Sequence, residues 1–267
     1  MAQESAAIKR AVEWERGAIG APSLLLLALE WRAPLEYSAS IATLPWLQRA
    51  PVGDGHSVLV FPGLIAGDLS TAALRAYLRG RGYDVHGWQQ GLNLGARAGV
   101  IEACLDRVNQ LADKSGRKIS LIGWSLGGIY AREIAKDLPD LVRCVITLGT
   151  PFNGQARATN AWRLYEFAAG HQIDHHPRRP HIHKAPPVPT TSLYSRTDGV
   201  VAWQCCMNDA FPNAENIEVI ASHFGIGMNP AAMYAIADRL SQPEGKWQPF
   251  HREGWRAMVF PEPAPTE

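Results

Sequence analysis

The sequence predicts an α/β fold: a mostly parallel central sheet with helices on both faces and a small cap insertion. Three observations carry that expectation. Short β-branched apolar runs alternate with segments of helical periodicity from His56 to Leu240, the order from which right-handed crossovers build a parallel sheet. Gly123-Trp124-Ser125-Leu126-Gly127 sets a serine between two glycines where a buried strand should give way to a helix. At 267 residues the chain can bury a full core yet stays near the upper size of one α/β domain, so a single domain over 1–267 is expected.

Residues 1–55 read as an N-terminal helical extension. Their most apolar stretch, 21–29 (Ala-Pro-Ser-Leu-Leu-Leu-Leu-Ala-Leu), is expected to be a helix packed on the domain, being far shorter than the ~20 residues a bilayer crossing needs. Nor does it look like a signal peptide. Glu4, Glu13 and Glu15 dilute the charge of Lys9 and Arg10, and Glu30-Trp31-Arg32 stands where a small-residue cleavage site would be. Residues 56–61 (His-Ser-Val-Leu-Val-Phe) are a buried strand closed by Pro62-Gly63, followed by a helix over 71–79, a strand over 83–88 and a helix over 98–112. The apolar stripe of that last helix is Val100, Ile101, Cys104, Leu105, Val108 and Leu111. The third strand ends at Gly123, and Leu126, Ile129, Tyr130 and Ile134 then recur at helical spacing. Strands are also expected over 141–148, 190–195 and 217–220. Asn229-Pro230 opens the last helix as N-cap and first-turn residues, with Met233, Ile236, Ala237 and Leu240 facing inward.

Two segments break the alternation. Residues 154–189 hold a short aromatic helix and then a stretch rich in histidine and proline, and are expected to form a cap. The tail, 242–267, carries Trp247, Phe250 and Trp255, whose apolar area favours draping over the domain.

Composition narrows the chemistry. A net charge of +1 with 19% charged residues gives no field for capturing a polyanion, which argues against a nucleic-acid partner. Cys104, Cys144, Cys205 and Cys206 fall in a helix, a strand and an adjacent pair, which suits free thiols and a cytoplasmic location better than a disulfide framework. No pair among them has zinc-ligand spacing.

A serine hydroxyl raised from a strand-to-helix corner needs a base, and the base an orienting acid. In a parallel sheet both belong in loops after the carboxyl ends of later strands. His223, in Ala221-Ser-His-Phe-Gly225 between the last strand and the last helix, meets that condition. His56 heads a strand at its amino end and His251 sits in the tail, so both are poorer candidates. For the acid, Asp198 follows the 190–195 strand; Asp209 is the rival, without a clear strand before it.

Together, Pro62-Gly63-Leu64 after the first strand, Gly123-Trp-Ser-Leu-Gly127, Gly149-Thr-Pro-Phe-Asn-Gly154, Ser195-Arg-Thr-Asp198 and Ser222-His-Phe-Gly225 make residues 56–240 resemble a lipase/esterase-type α/β-hydrolase, whose members keep the order Ser, Asp, His. The resemblance implies Ser125 as nucleophile, His223 as general base and then acid, and Asp198 as orienter. It places the oxyanion-hole amides on Leu64 and Leu126. The chain departs from many members in having Pro62-Gly63 where they have His-Gly. The reaction implied is hydrolysis of a small-molecule ester of apolar groups, through an acyl-serine and with no metal or organic cofactor; the modest cap, without an extended apolar lid, predicts short-to-medium acyl chains. An acyltransferase or thioesterase using the same three residues is the alternative, and a non-catalytic binding protein of the same fold a further one.

Other signals are discounted. His171, His175, His176, His181 and His183 crowd the insert, but Pro177, Pro180, Arg178 and Arg179 break regular structure and repel a cation, so a solvated cap loop is expected there rather than a metal site. Gly91-Leu-Asn-Leu-Gly95 lacks the Gly-Lys-Ser/Thr of a phosphate loop and reads as a structural turn. Trp162, Leu164, Tyr165 and Phe167 could pack on the core or line an acyl pocket.

Overall fold

A computed structural model describes residues 19–154, 157–169 and 181–265. Among the described residues, those before the sheet form a string of short helices: α1 (Leu24–Ala28), a 3-10 turn (Leu29–Arg32), α2 (Ala33–Ala42) and α3 (Leu44–Leu47). Then come β1 (Ser57–Phe61), α4 (Ala72–Gly80), β2 (Asp84–Gly87), α5 (Val100–Ser115), β3 (Ile119–Trp124), α6 (Leu126–Asp137) and β4 (Val142–Leu148). The aromatic helix of the insert is α7 (Trp162–Ala169). β5 (Thr190–Tyr194), β6 (Ala214–Glu218), α8 (Pro230–Leu240) and α9 (Arg256–Val259) complete the order.

The six strands of the described residues form one parallel sheet in the order β2-β1-β3-β4-β5-β6. Its inner strands are apolar on both faces because each face is covered. Val58 and Val60 of β1, Ile122 of β3 and Ile146 and Leu148 of β4 point to the side packed by Leu74 and Leu78 of α4 and Met233, Ile236 and Leu240 of α8. Their neighbours Leu59, Phe61, Leu121 and Val145 point to the other side, against Cys104, Val108 and Leu111 of α5 and Tyr130 and Ile134 of α6. The period-two alternation of a strand thus fills two cores at once.

The last strand departs from its sequence reading. It runs over Ala214–Glu218 instead of 217–220, and Ile220 is exposed. Two of the three missed residues are polar, but their side chains find partners at this sheet edge: Glu215 accepts from Thr191 Oγ1 (2.7 Å), and Asn216 pairs with the backbone of Asn208 (2.8 and 2.9 Å). At the N terminus, α1 is shorter than the 21–29 stretch and leaves Leu24 and Leu25 exposed. Its Leu27 packs on a satellite cluster with Val200, Val201, Cys205 and Cys206. In the tail, Phe260 is wholly buried in the core beside Phe250, and Ala264 donates its amide to Tyr194 Oη (2.7 Å). All four cysteines are free thiols. Among the described residues no helix is long and apolar enough to cross a membrane.

Candidate active site

The serine corner follows from close packing between β1, β3 and α6. A Cβ on Gly123 would sit 2.2 Å from Gly128 Cα, and one on Gly127 would sit 2.5 Å from the Phe61 carbonyl oxygen, so the turn closes only with glycine at both places. Ser125 is held between them at φ 51° and ψ −122°, a region that costs a non-glycine residue about 1–3 kcal/mol. Its amide donates to the Leu148 carbonyl (2.8 Å), which anchors the strained residue to β4.

The partners arrive from loops beyond β5 and β6. His223 Nε2 lies 3.0 Å from Ser125 Oγ, and His223 Nδ1 lies 2.7 Å from Asp198 Oδ2. Asp198 Oδ1 accepts from the amides of Val200 and Val201, both at 2.8 Å, so the loop itself fixes the carboxylate. Trp124 Nε1 donates to the His223 carbonyl (3.0 Å). The acid and the imidazole are buried, while Ser125 is half-buried. Burial pushes the imidazole toward its neutral form, but the charge and hydrogen bond of Asp198, helped by the charge of Glu30, outweigh it and leave the pKa of His223 above the ordinary value.

Leu64 sits in the turn after β1, and Leu126 begins α6. That turn lies against the serine: a Cβ on Gly63 would be in van der Waals contact with Ser125 Cβ, at 3.4 Å. It is braced by Asn93, from the turn read as structural. Asn93 is wholly buried, its Nδ2 donates to the Pro62 carbonyl (2.8 Å), and its backbone pairs with Ile65 and Ala66 (2.7 and 2.8 Å). Ile65, held at φ 56°, has its amide committed to Asn93. The Leu64 amide has no acceptor among the described residues.

The structure thus brings Ser125, Asp198 and His223 into one hydrogen-bonded chain at the carboxyl ends of β3, β5 and β6, with Leu126 next to Ser125 in sequence and Leu64 in the turn after β1. The discounted residues lie elsewhere. His56 is buried at the amino end of β1, bonded to Asp54 (2.5 Å) and Ser120 (2.7 Å). Asp209 accepts from Asn153 Nδ2 (3.2 Å). Of the insert histidines, His171, His175 and His176 fall outside the described residues; the backbone carbonyl of His183 accepts from the buried Arg132 (3.1 Å). On α7, Leu164 and Phe167 are exposed.

Sequence reasoning passed over the N-terminal segment, yet Glu30 is buried and accepts from the backbone amides of Gly199 (2.8 Å), His223 (2.9 Å) and Phe224 (3.0 Å). A carboxylate directly after the most apolar stretch of the chain was the available signal, because buried acids require donors.

No family model matches the chain, and a comparison with curated protein sequences finds no match. Solved structures do match. Aspergillus fumigatus lipase B aligns at TM-score 0.57 with 19% identity, covering 71% of this chain and 53% of that one, so the chain spans about half the length of that lipase. A pyrethroid hydrolase from Sphingobium faniae aligns at TM-score 0.52 with 20% identity over 70% of this chain and 98% of the other. One of the metagenome-derived lipolytic enzymes LipS and LipT aligns at 0.52 with 14% identity, covering 66% and 88%. With its parallel sheet, crossover helices and serine corner, the chain has the α/β-hydrolase fold.

Proposed function

We propose that this protein is a serine ester hydrolase, of carboxylesterase or lipase type, that cleaves apolar short-to-medium-chain acyl esters through an acyl-serine intermediate. One observation carries the reading: a half-buried hydroxyl 3.0 Å from an imidazole nitrogen whose other nitrogen is 2.7 Å from a buried carboxylate. Ser125 Oγ attacks the ester carbonyl as His223 Nε2 takes its proton, and the imidazolium formed is held by Asp198. The amides of Leu64 and Leu126 stabilise the oxyanion, each worth about 3–4 kcal/mol in this role. His223 then protonates the leaving alcohol, activates water against the acyl-serine and returns the proton to Ser125. The fold of the neighbours supports hydrolysis as the general chemistry.

Ser125→Ala is expected to abolish p-nitrophenyl ester turnover and fluorophosphonate labelling while leaving the circular dichroism spectrum unchanged; full activity in that variant removes the reading. An acyl-length series is expected to peak at short to medium chains. Faster transfer to an added alcohol or thiol than to water would instead mark an acyltransferase or thioesterase.

A further inference from the structure

The loops that carry Asp198 and His223 are tied together by a segment remote from both in sequence. Glu30, in the 3-10 turn Leu29–Arg32, places Oε1 on the amides of Gly199 and His223 and Oε2 on that of Phe224. Two neighbours extend the contact. Arg32 Nη2 donates to the Thr197 carbonyl (2.7 Å) and hydroxyl (3.0 Å), and Glu36 Oε1 accepts from the Ser222 amide (2.6 Å). The segment fits closely, since a Cβ on Gly199 would lie 2.2 Å from the Leu26 carbonyl oxygen. From this geometry we infer that Glu30 is a positioning residue, clamping the acid loop to the histidine loop and so fixing how the imidazole stands between Asp198 and Ser125. The inference rests on the proposed roles of those three residues.

A carboxylate suits this place better than its neutral analogues. Three amide hydrogens converge on it, and a glutamine would accept with its oxygen while turning an NH2 toward one of them, donor against donor. The negative charge also favours the imidazolium formed when Ser125 gives up its proton. Among the described residues, the charged groups on the elements about His223 are Asp198 on the acid loop and Glu30 on the N-terminal segment, with Arg32 on Thr197 and Glu36 on the Ser222 amide.

Glu30→Gln and Glu30→Ala test the assignment, with Leu24→Ser on the exposed face of α1 as a control for the segment. A small displacement of the imidazole makes the expected loss in kcat about tenfold for Glu30→Gln and about a hundredfold for Glu30→Ala, with KM changed by less than about twofold. In both, the acid limb of kcat/KM moves to lower pH, and Glu30→Asp, which keeps the charge, leaves that limb in place while kcat still falls. An NMR titration of the His223 ring reads the same downward shift without any turnover. Folded Gln and Ala variants with His223 titrating as in the parent and kcat within about twofold of it overturn the assignment. Should Glu30→Ala not fold, Glu30→Gln and Glu30→Asp decide the matter by the same readings. Absence of ester turnover and of fluorophosphonate labelling in the parent removes the functional reading instead, and the NMR titration still decides whether Glu30 sets the state of His223.

Discussion

Around His223, burial and charge act against each other, and their balance sets the pH at which it can accept a proton. Desolvation disfavours the imidazolium, whereas Asp198 and Glu30 favour it and prevail, so the ring stays protonated to a higher pH than a free histidine. A general base must be neutral to act. If His223 is the base of the proposed reaction, activity is expected to climb as pH rises through the elevated pKa, with the acid limb of kcat/KM above the ordinary imidazole value of 6.5. A pH profile with that limb below 6.5 would contradict the charge balance seen here. The chain contains the same three residue types in a second hydrogen-bonded series, Asp54, His56 and Ser120, at the opposite end of the sheet. There Ser120 and His56 are fully buried and Arg143 stands 3.2 Å from the imidazole. Burial, with the Arg143 charge behind it, outweighs Asp54 and pushes that imidazole below its ordinary value. Residue identity alone does not make a nucleophile; access and the sign of the surrounding charge do.

At the scale of elements, β3 and α6 meet in a corner that tolerates no extra atom. Gly127→Ala would drive a methyl to 2.5 Å from the Phe61 carbonyl oxygen, so the helix start must shift away from β1. The expected cost is about 2–3 kcal/mol in urea unfolding, with a fall in kcat because Ser125 moves with the helix. Unchanged stability would mean that the corner is looser than its geometry indicates. Elements on the covered part of the sheet were legible because alternation and helical periodicity are local consequences of burial. β6 was less so, since Glu215 and Asn216 owe their place to the Thr191 hydroxyl and the Asn208 backbone, partners that no local pattern announces. The 3-10 turn bearing Glu30 was the least legible, as its partners lie some 170 to 190 positions away.

For the whole molecule, the ends of the described chain are part of the packing. Phe260 lies fully buried among Tyr234 and Phe250. Phe260→Ala is expected to destabilise the protein by about 3–5 kcal/mol in denaturant titration, the range for deleting a buried aromatic ring; a loss below about 1 kcal/mol would show that the tail contributes little to the core. The sequence by itself determined the α/β alternation, the glycine-flanked serine corner and the candidacy of Asp198 and His223 after later strands, because strand period, helix period and steric demand are written in near neighbours. Only the tertiary structure decided the 3.0 Å approach of His223 to Ser125, the bracing of the Leu64 turn by Asn93 and the insertion of Glu30 between two distant loops. Those contacts join segments far apart in the chain, and a buried charge or amide finds its partner only once the sheet has brought the loops together.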